Sequence, residues 1–350
     1  MRTVPVSAER YYQIEIGTTW ESSIADWVEG RKKVVLITTS QLRSKISLTG
    51  ELGNLNVIEI PEGELGKTSK NLEKTWEMLS EFEIERDGLI IGLGGGAVTD
   101  HAGFAAATWL RGIDWIAVPT TIAGMVDAAI GGKTGINSAH GKNLIGAFHS
   151  PISVLIDLSW IKSLSDRDFS AGLAEAVKCG FIKDAEILLL LTKKKISDLR
   201  KDEDLLEEII ERAAAVKAEV VSADFKESEL REILNYGHTL AHAIEVDCNF
   251  ELRHGEAVSI GMVFAAELAQ ETIGLSDQVV EKHRAVLQSL NLPISYRKSA
   301  WPNLYKIMKN DKKVRNGALR FVGLQDIAHC TRIVAPSADV LERTYEKIAQ

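Results

Sequence analysis

The strongest constraint on the fold is a series of short, largely apolar segments in the first half of the chain. Residues 34–37, 56–60, 88–92, 115–118 and 154–156 each read as a buried strand. Between the second and third, Leu72, Trp76, Leu79 and Phe82 recur at helical spacing. Strands that are apolar on both sides, with helices between them, belong to a parallel sheet covered on both faces. The sequence therefore predicts an α/β Rossmann-like N-terminal domain over residues 1–164.

The strand pattern stops after about Leu164. Long helical patterns follow at 203–224, 230–245 and 256–270, with further helices towards the end. A mainly α-helical C-terminal domain over residues 165–350 is expected, joined near residues 163–170. In such a layout the ligand normally lies in the cleft beside the carboxyl ends of the strands. The formal net charge of −8 shows no basic surplus, so no nucleic-acid partner is expected. The cations Lys193-Lys194-Lys195 and the acidic Asp202-Glu203-Asp204 read as solvated helix ends. No apolar run reaches the roughly 18–20 residues of a membrane span, so no membrane partner is expected either. Cys179, Cys248 and Cys330 are far apart, and the first residues lack the apolar stretch of a signal peptide. Both features fit a cytoplasmic, reducing location.

Gly94-Gly95-Gly96-Ala97-Val98-Thr99-Asp100 follows a predicted strand and opens a predicted helix. Glycines there let a backbone approach a pyrophosphate, whose charge a helix N-terminus favours. A tight strand-to-helix turn is the plainer alternative. Two Gly-Lys-Thr triplets suggest a P-loop, but the Walker pattern requires a glycine where the chain has Pro61 and Asp127. An ATPase or kinase is disfavoured.

His238 and His242 lie four residues apart on a predicted helix, on one face. His254 follows soon after and Glu175 lies upstream, so several choices of three metal ligands exist. A catalytic zinc wants three protein ligands and one open position. Arg231, Asn235, His238, His242 and Glu245 form a polar stripe at helical spacing beside the apolar Leu230, Leu234, Ala241 and Ile244. A solvated face would favour Lys and Glu over Asn and His, so the stripe reads as lining a site. Lys217 continues the apolar stripe of Leu206, Ile210, Ala213 and Ala214 and points towards packed protein; snorkelling to the surface is the bland alternative. Lys133 and Lys142 in glycine-rich segments, Lys178 and the Lys312-Lys313 pair add further cations. Together they suggest a pocket for a small, multiply anionic substrate.

At this point the chain resembles the 3-dehydroquinate synthase family, from about Pro61 to Phe321. The carriers are Pro61-Glu62-Gly63-Glu64 with Lys67, the Gly94 to Asp100 loop, Trp109-Leu110-Arg111-Gly112, Val118-Pro119-Thr120-Thr121 and Val126-Asp127. Gly131-Gly132-Lys133-Thr134-Gly135-Ile136-Asn137, Gly141-Lys142-Asn143 and Gly172-Leu173-Ala174-Glu175 with Lys178 continue the series. Leu234-Asn235-Tyr236-Gly237-His238-Thr239, His254-Gly255-Glu256 and Asp311-Lys312-Lys313 complete it. The resemblance implies that Glu175, His238 and His254 hold one divalent metal, zinc or cobalt, with His242 a substrate-site residue. It implies NAD contacts from Glu64, Lys67, Gly95, Gly96, Asp100, Thr120, Thr121, Lys133 and Lys142. Substrate contacts would come from Asp127, Lys133, Asn143, Lys178, Lys217, Arg231, Asn235 and the Lys312-Lys313 pair. Arg111 matches a position that reaches the neighbouring subunit's site, which implies a homodimer. Three positions depart from the family pattern. Thr39 stands where Asp or Asn often follows the first strand. His101 replaces a small or apolar residue, and Ala241 replaces a Gly.

The implied reaction turns 3-deoxy-D-arabino-heptulosonate 7-phosphate into 3-dehydroquinate and phosphate. Its phosphate leaves from a carbon whose neighbouring C–H is not acidic. Transient oxidation of the adjacent hydroxyl to a ketone makes that C–H acidic and permits β-elimination. Reduction, ring opening and an intramolecular aldol step follow. A metal on the reacting hydroxyl and a nicotinamide facing the same carbon explain both cofactors together, and the cations would position the phosphate and carboxylate. The departing phosphate itself is implied as the proton acceptor, and His242 is a candidate for shuttling hydroxyl protons. Other sugar phosphate cyclases of this family and metal-dependent polyol dehydrogenases are the alternatives. A binding module would not explain both sites.

Overall fold

The computed structural model describes all residues except 140, 227–229 and 314–318, and all side chains of the others except those of 51 and 311–313. It contains two compact units, Met1–Leu164 with Lys217–Lys226, and Ser165–Val216 with Glu227–Gln350. The stretch from Lys217 to Lys226 thus groups with the first unit, although it lies inside the sequence span expected for the second.

The first unit is an α/β domain. Its elements are β1 (Arg2–Ser7), β2 (Tyr11–Ile16), α1 (Trp20–Val28), β3 (Val34–Thr39), α2 (Ser40–Arg43), β4 (Asn56–Ile60) and α3 (Ser69–Glu81). Then come β5 (Leu89–Gly94), α4 (Gly96–Thr108), β6 (Asp114–Pro119), β7 (Lys133–Ser138), β8 (Gly141–Phe148) and β9 (Ser153–Ile156). One seven-stranded sheet runs in the order β1-β2-β9-β6-β5-β3-β4. It is parallel from β2 to β4, and β1 pairs antiparallel at its edge. Every residue of β3, β5 and β9 is buried, as a sheet covered on both faces requires. Helix α4 is buried along nearly its whole length, because Val98, Ala102, Phe104, Ala105 and Ala106 leave it no solvent face. Thr39, at the end of β3, accepts a hydrogen bond from the Leu42 N–H at 3.4 Å and so caps α2.

The second unit is mainly helical: α5 (Asp166–Ile182), α6 (Glu186–Thr192), α7 (Ile196–Leu199), the first part of α8 (Glu203–Ala223), α9 (His238–Asp247), α10 (His254–Ile273), α11 (Asp277–Ser289), α12 (Trp301–Lys313) and α13 (Ala338–Glu346). Its core is built on α10, buried from Gly255 to Ala269. Two expectations are corrected here. The strand pattern does not end at Leu164, because β10 (Arg320–Asp326) and β11 (His329–Val334) form an antiparallel hairpin in this unit. Nor do residues 230–245 form one helix. A 3-10 turn at Leu230–Asn235 is separated from α9 by Gly237, which is left-handed at φ 79°. An αL residue cannot continue a right-handed helix, so the stripe from Arg231 to Glu245 is not one helix face.

Candidate metal centre and nucleotide loop

Helix α5 is buried from Phe169 to Ile182, yet it carries Glu175 and Lys178, each 1% exposed. Charges that deep require partners. The Lys178 ammonium pairs with Oε2 of Glu175. The other carboxylate oxygen, Oε1, faces two imidazoles: Nε2 of His254 at 3.2 Å and Nε2 of His238 at 3.6 Å.

Missing side chains let these three elements converge. His238 opens α9 and His254 opens α10. A Cβ on Gly255 would lie 1.8 Å from the Ala171 carbonyl oxygen of α5. One on Gly261 of α10 would lie 2.0 Å from the Gly237 carbonyl oxygen, just before α9. Only glycine allows α10 so close to both neighbours.

The hydrogen bonds fix how the rings face. Nδ1 of His238 lies 3.1 Å from the Tyr236 carbonyl oxygen, which can only accept, so Nδ1 carries the proton and Nε2 keeps its lone pair. Burial, and then the charge of Lys178, lower the His238 pKa to about 3, so that ring is neutral. For His254 burial acts downward too, but hydrogen bonds to Glu175 and Glu245 outweigh it and carry the pKa up to about 10.

One ligand atom each from Glu175, His238 and His254 all lie within 4.8 Å of one another. Ligand atoms about 2 Å from a tetrahedral zinc stand about 3.3 Å apart, and the 3.2 and 3.6 Å separations straddle that value. Two imidazoles and a carboxylate are also a zinc-type donor set. Helical spacing had offered His238 with His242, but the His242 side chain is exposed and outside this group. Its ring centroid is 5.5 Å from that of His238 and 6.2 Å from that of His254. Arg231 is 1% exposed and Asn235 half-buried in the preceding 3-10 turn. The side chain of Lys312 lies outside the described residues.

In the first unit, Gly95 is the N-cap of α4 and no side chain caps the helix there. A Cβ on Gly95 would come within 3.2 Å of Thr121 Cγ2, and one on Gly96 within 2.9 Å of Ala128. Close packing thus requires glycine at both positions, and the N-terminus of α4, which no side chain caps, favours an anion. Thr120 donates its N–H to Gly94 at 2.9 Å, and Thr121 Oγ1 accepts from the Gly124 N–H at 3.1 Å.

Beside the loop lies a buried lysine. Lys67, 2% exposed, donates to Asp100 Oδ2 and to Asn143 Oδ1, both at 2.5 Å. Burial pushes the Asp100 carboxyl up to about 6 despite that ammonium. Asn137 ties the group together: its N–H donates to the Lys67 carbonyl at 2.8 Å, and its side-chain amide to Glu64 Oε2 at 2.6 Å. Its Oδ1 accepts from the Asn143 N–H at 3.0 Å. In the sequence, the one signal for this role of Asn137 is a polar side chain in a glycine-rich segment. Lys217 Nζ pairs with Asp127 Oδ1 at 2.5 Å, with Lys217 7% exposed. Lys133 and Arg111 are exposed and Lys142 is half-buried.

The 3-dehydroquinate synthase N-terminal family model matches residues 57–171, and the 3-dehydroquinate synthase C-terminal model matches residues 172–314. A 3-dehydroquinate synthase of Mycolicibacterium vanbaalenii is 47% identical over 355 residues, covering 99% of this chain and 98% of that one. Among solved structures, the 2-epi-5-epi-valiolone synthase ValA of Streptomyces hygroscopicus subsp. jinggangensis, with NAD+ and Zn2+ bound, superposes with a TM-score of 0.88 at 24% identity over 96% of each chain. A 2-deoxy-scyllo-inosose synthase complexed with carbaglucose-6-phosphate, NAD+ and Co2+ gives 0.84 at 23% identity, covering 99% of this chain and 100% of that one. Those two structures share the fold; the family assignment rests on the matched models and on the full-length identity. The chain belongs to the 3-dehydroquinate synthase family.

Proposed function

We infer that the protein is a 3-dehydroquinate synthase, a phosphate-eliminating lyase that converts 3-deoxy-D-arabino-heptulosonate 7-phosphate into 3-dehydroquinate and phosphate, using NAD and a divalent metal. The observation that carries this reading is the convergence of Glu175, His238 and His254 in a chain 47% identical to such an enzyme over nearly its whole length. Glu175, His238 and His254 would hold the metal, which would supply Lewis acidity to the reaction. Gly95, Gly96, Thr120 and Thr121 would hold NAD, with Glu64, Lys67, Asp100, Lys133 and Lys142 as its further contacts. Bound there, NAD would supply reversible hydride transfer.

The remaining roles belong to the chain's own side chains. Lys178, Lys217, Arg231 and Lys312 bind the substrate's anionic groups, and Asp127, Asn143 and Asn235 orient its hydroxyls. Asp127 also holds the Lys217 ammonium in place, which its 2.5 Å contact supports. His242, exposed beside the ligand rings, relays hydroxyl protons. Arg111, exposed in a left-handed turn at φ 68°, reaches the substrate site of a second copy in a homodimer. No helix of the described residues is long and apolar enough to cross a membrane, and the free cysteines fit a cytoplasmic enzyme.

The test supplies the heptulosonate phosphate with NAD+ and zinc or cobalt and follows phosphate and NADH. Phosphate is released without accumulation of NADH. Net NADH would mark a polyol dehydrogenase instead. Phosphate from a hexose phosphate, with none from the heptulosonate, would mark a related cyclase. His238→Ala loses the metal; unchanged metal content in that variant refutes the ligand set.

A further inference from the structure

We propose that Glu245 is a positioning residue of the metal centre, holding His254 in the one tautomer that offers Nε2 to the ion. The inference rests on the assignment of Glu175, His238 and His254 as ligands. Glu245 lies two turns beyond His238 on α9 and is 5% exposed. Its Oε2 stands 3.4 Å from Nδ1 of His254, while the opposite ring nitrogen stands 3.2 Å from Glu175 Oε1. A neutral imidazole carries one proton on two nitrogens, and an ionised carboxylate can only accept. Nε2 also faces a carboxylate, that of Glu175; a cation held by Glu175 takes the Nε2 position, and the one proton left on the ring then sits on Nδ1, towards Glu245. The Nε2 lone pair is left directed at the point where the ligand atoms converge.

The two histidines are supported differently. His238 donates to a main-chain carbonyl, that of Tyr236. Behind His254 stands a full negative charge, which makes Nε2 the stronger donor of the pair. Glu245 also closes the turn that leads to its partner. Its carbonyl oxygen accepts from the Phe250 N–H at 2.8 Å and from Cys248 Sγ at 3.5 Å. Asn249 and Phe250 in that turn are left-handed, at φ 50° and 61°. The main chain of Glu245 thus fixes the start of the turn and its side chain fixes the residue that ends it.

The test is zinc affinity by chelator competition on the full-length chain, for wild type, Glu245→Leu, Glu245→Gln, His254→Ala and the Glu245→Leu/His254→Ala double variant. Glu245→Leu raises the dissociation constant about 10- to 100-fold, and Glu245→Gln, which keeps an acceptor without the charge, raises it less. In the His254→Ala background, Glu245→Leu changes nothing further, because the ring it orients is gone. Equal losses in both backgrounds would reveal a merely structural carboxylate and overturn the proposal, as would a wild-type constant for Glu245→Leu. If the variants do not fold, histidine-selective 15N NMR of the zinc-loaded wild type decides. A proton on His254 Nδ1 with zinc on Nε2 is expected, and the reverse overturns the proposal. The ligand assignment fails separately: then His238→Ala binds zinc as the wild type does, or the wild type binds none.

Discussion

Gly255→Ala adds one methyl group, and the structure states what it would meet. The new Cβ would lie 1.8 Å from the Ala171 carbonyl oxygen and 2.6 Å from its carbon. Both are backbone atoms in helix α5, so no side chain can turn aside. Opening 1.8 Å to the 3.0 Å below which real Cβ contacts do not occur separates the backbones by about 1.2 Å. Metal–ligand distances tolerate only about 0.2 Å, and His254 is the residue immediately before the substitution. Overpacking of this kind costs about 1–3 kcal/mol, which at about 2–4 °C per kcal/mol lowers the melting temperature by roughly 2–12 °C. The zinc dissociation constant should rise more than about tenfold. The sign is diagnostic, because Gly→Ala inside a helix otherwise stabilises by about 0.5–1 kcal/mol. Calorimetry and chelator competition read the two effects. A variant that melts at or above the wild-type temperature and keeps its zinc affinity would refute the close-approach argument.

Three further outcomes are expected. Zinc binding should release one proton rather than two, since His254 keeps its proton up to about pH 10 while His238 is already neutral above about pH 3. Affinity should therefore rise about tenfold per pH unit between neutrality and about pH 9, and titration calorimetry in buffers of different ionisation enthalpy would expose a pH-independent constant. Lys178→Ala should slow phosphate release by at least about a hundredfold with zinc retained; loss of zinc would show that Lys178 serves chiefly to hold Glu175. Asp127→Asn removes the charge facing Lys217 and should lower kcat/KM by about tenfold or more without changing zinc content, and wild-type kinetics would dismiss the pair from the reaction.

The sheet was legible where burial is two-sided. β3, β5 and β9 are buried along their whole lengths, and their sequences are apolar to match. β1 and β2 were missed because only alternate residues, Val4 and Val6, Tyr12, Ile14 and Ile16, face the core, which leaves a weaker period-two signal. Residues 230–245 read as one helix because the apolar and polar stripes continue through Gly237. What breaks them is the approach of Gly261 from a helix remote in sequence. The same limit applies to the ligands. Helical spacing relates His238 to His242, but His254 arrives through the turn after α9, and only contacts through space relate it to Glu175. The motif series named His254 where periodicity had no means to do so. Lys217 was read as facing packed protein, and it does; its partner Asp127 lies far upstream.

The grouping of residues 217–226 with the first unit has a consequence for synthesis. The chain passes between the two units three times, after Leu164, after Val216 and after Lys226. A ribosome that has made residue 164 has delivered all nine strands of the first unit but not Lys217. Roughly 60 more residues must follow, about 3–12 s at about 5–20 residues per second. During that interval Asp127 waits without its lysine, and a fragment cut after residue 164 would never acquire it. Neither unit can be cut out as one continuous piece of chain, so attempts to express them separately should carry residues 217–226 back to the first by a designed connection.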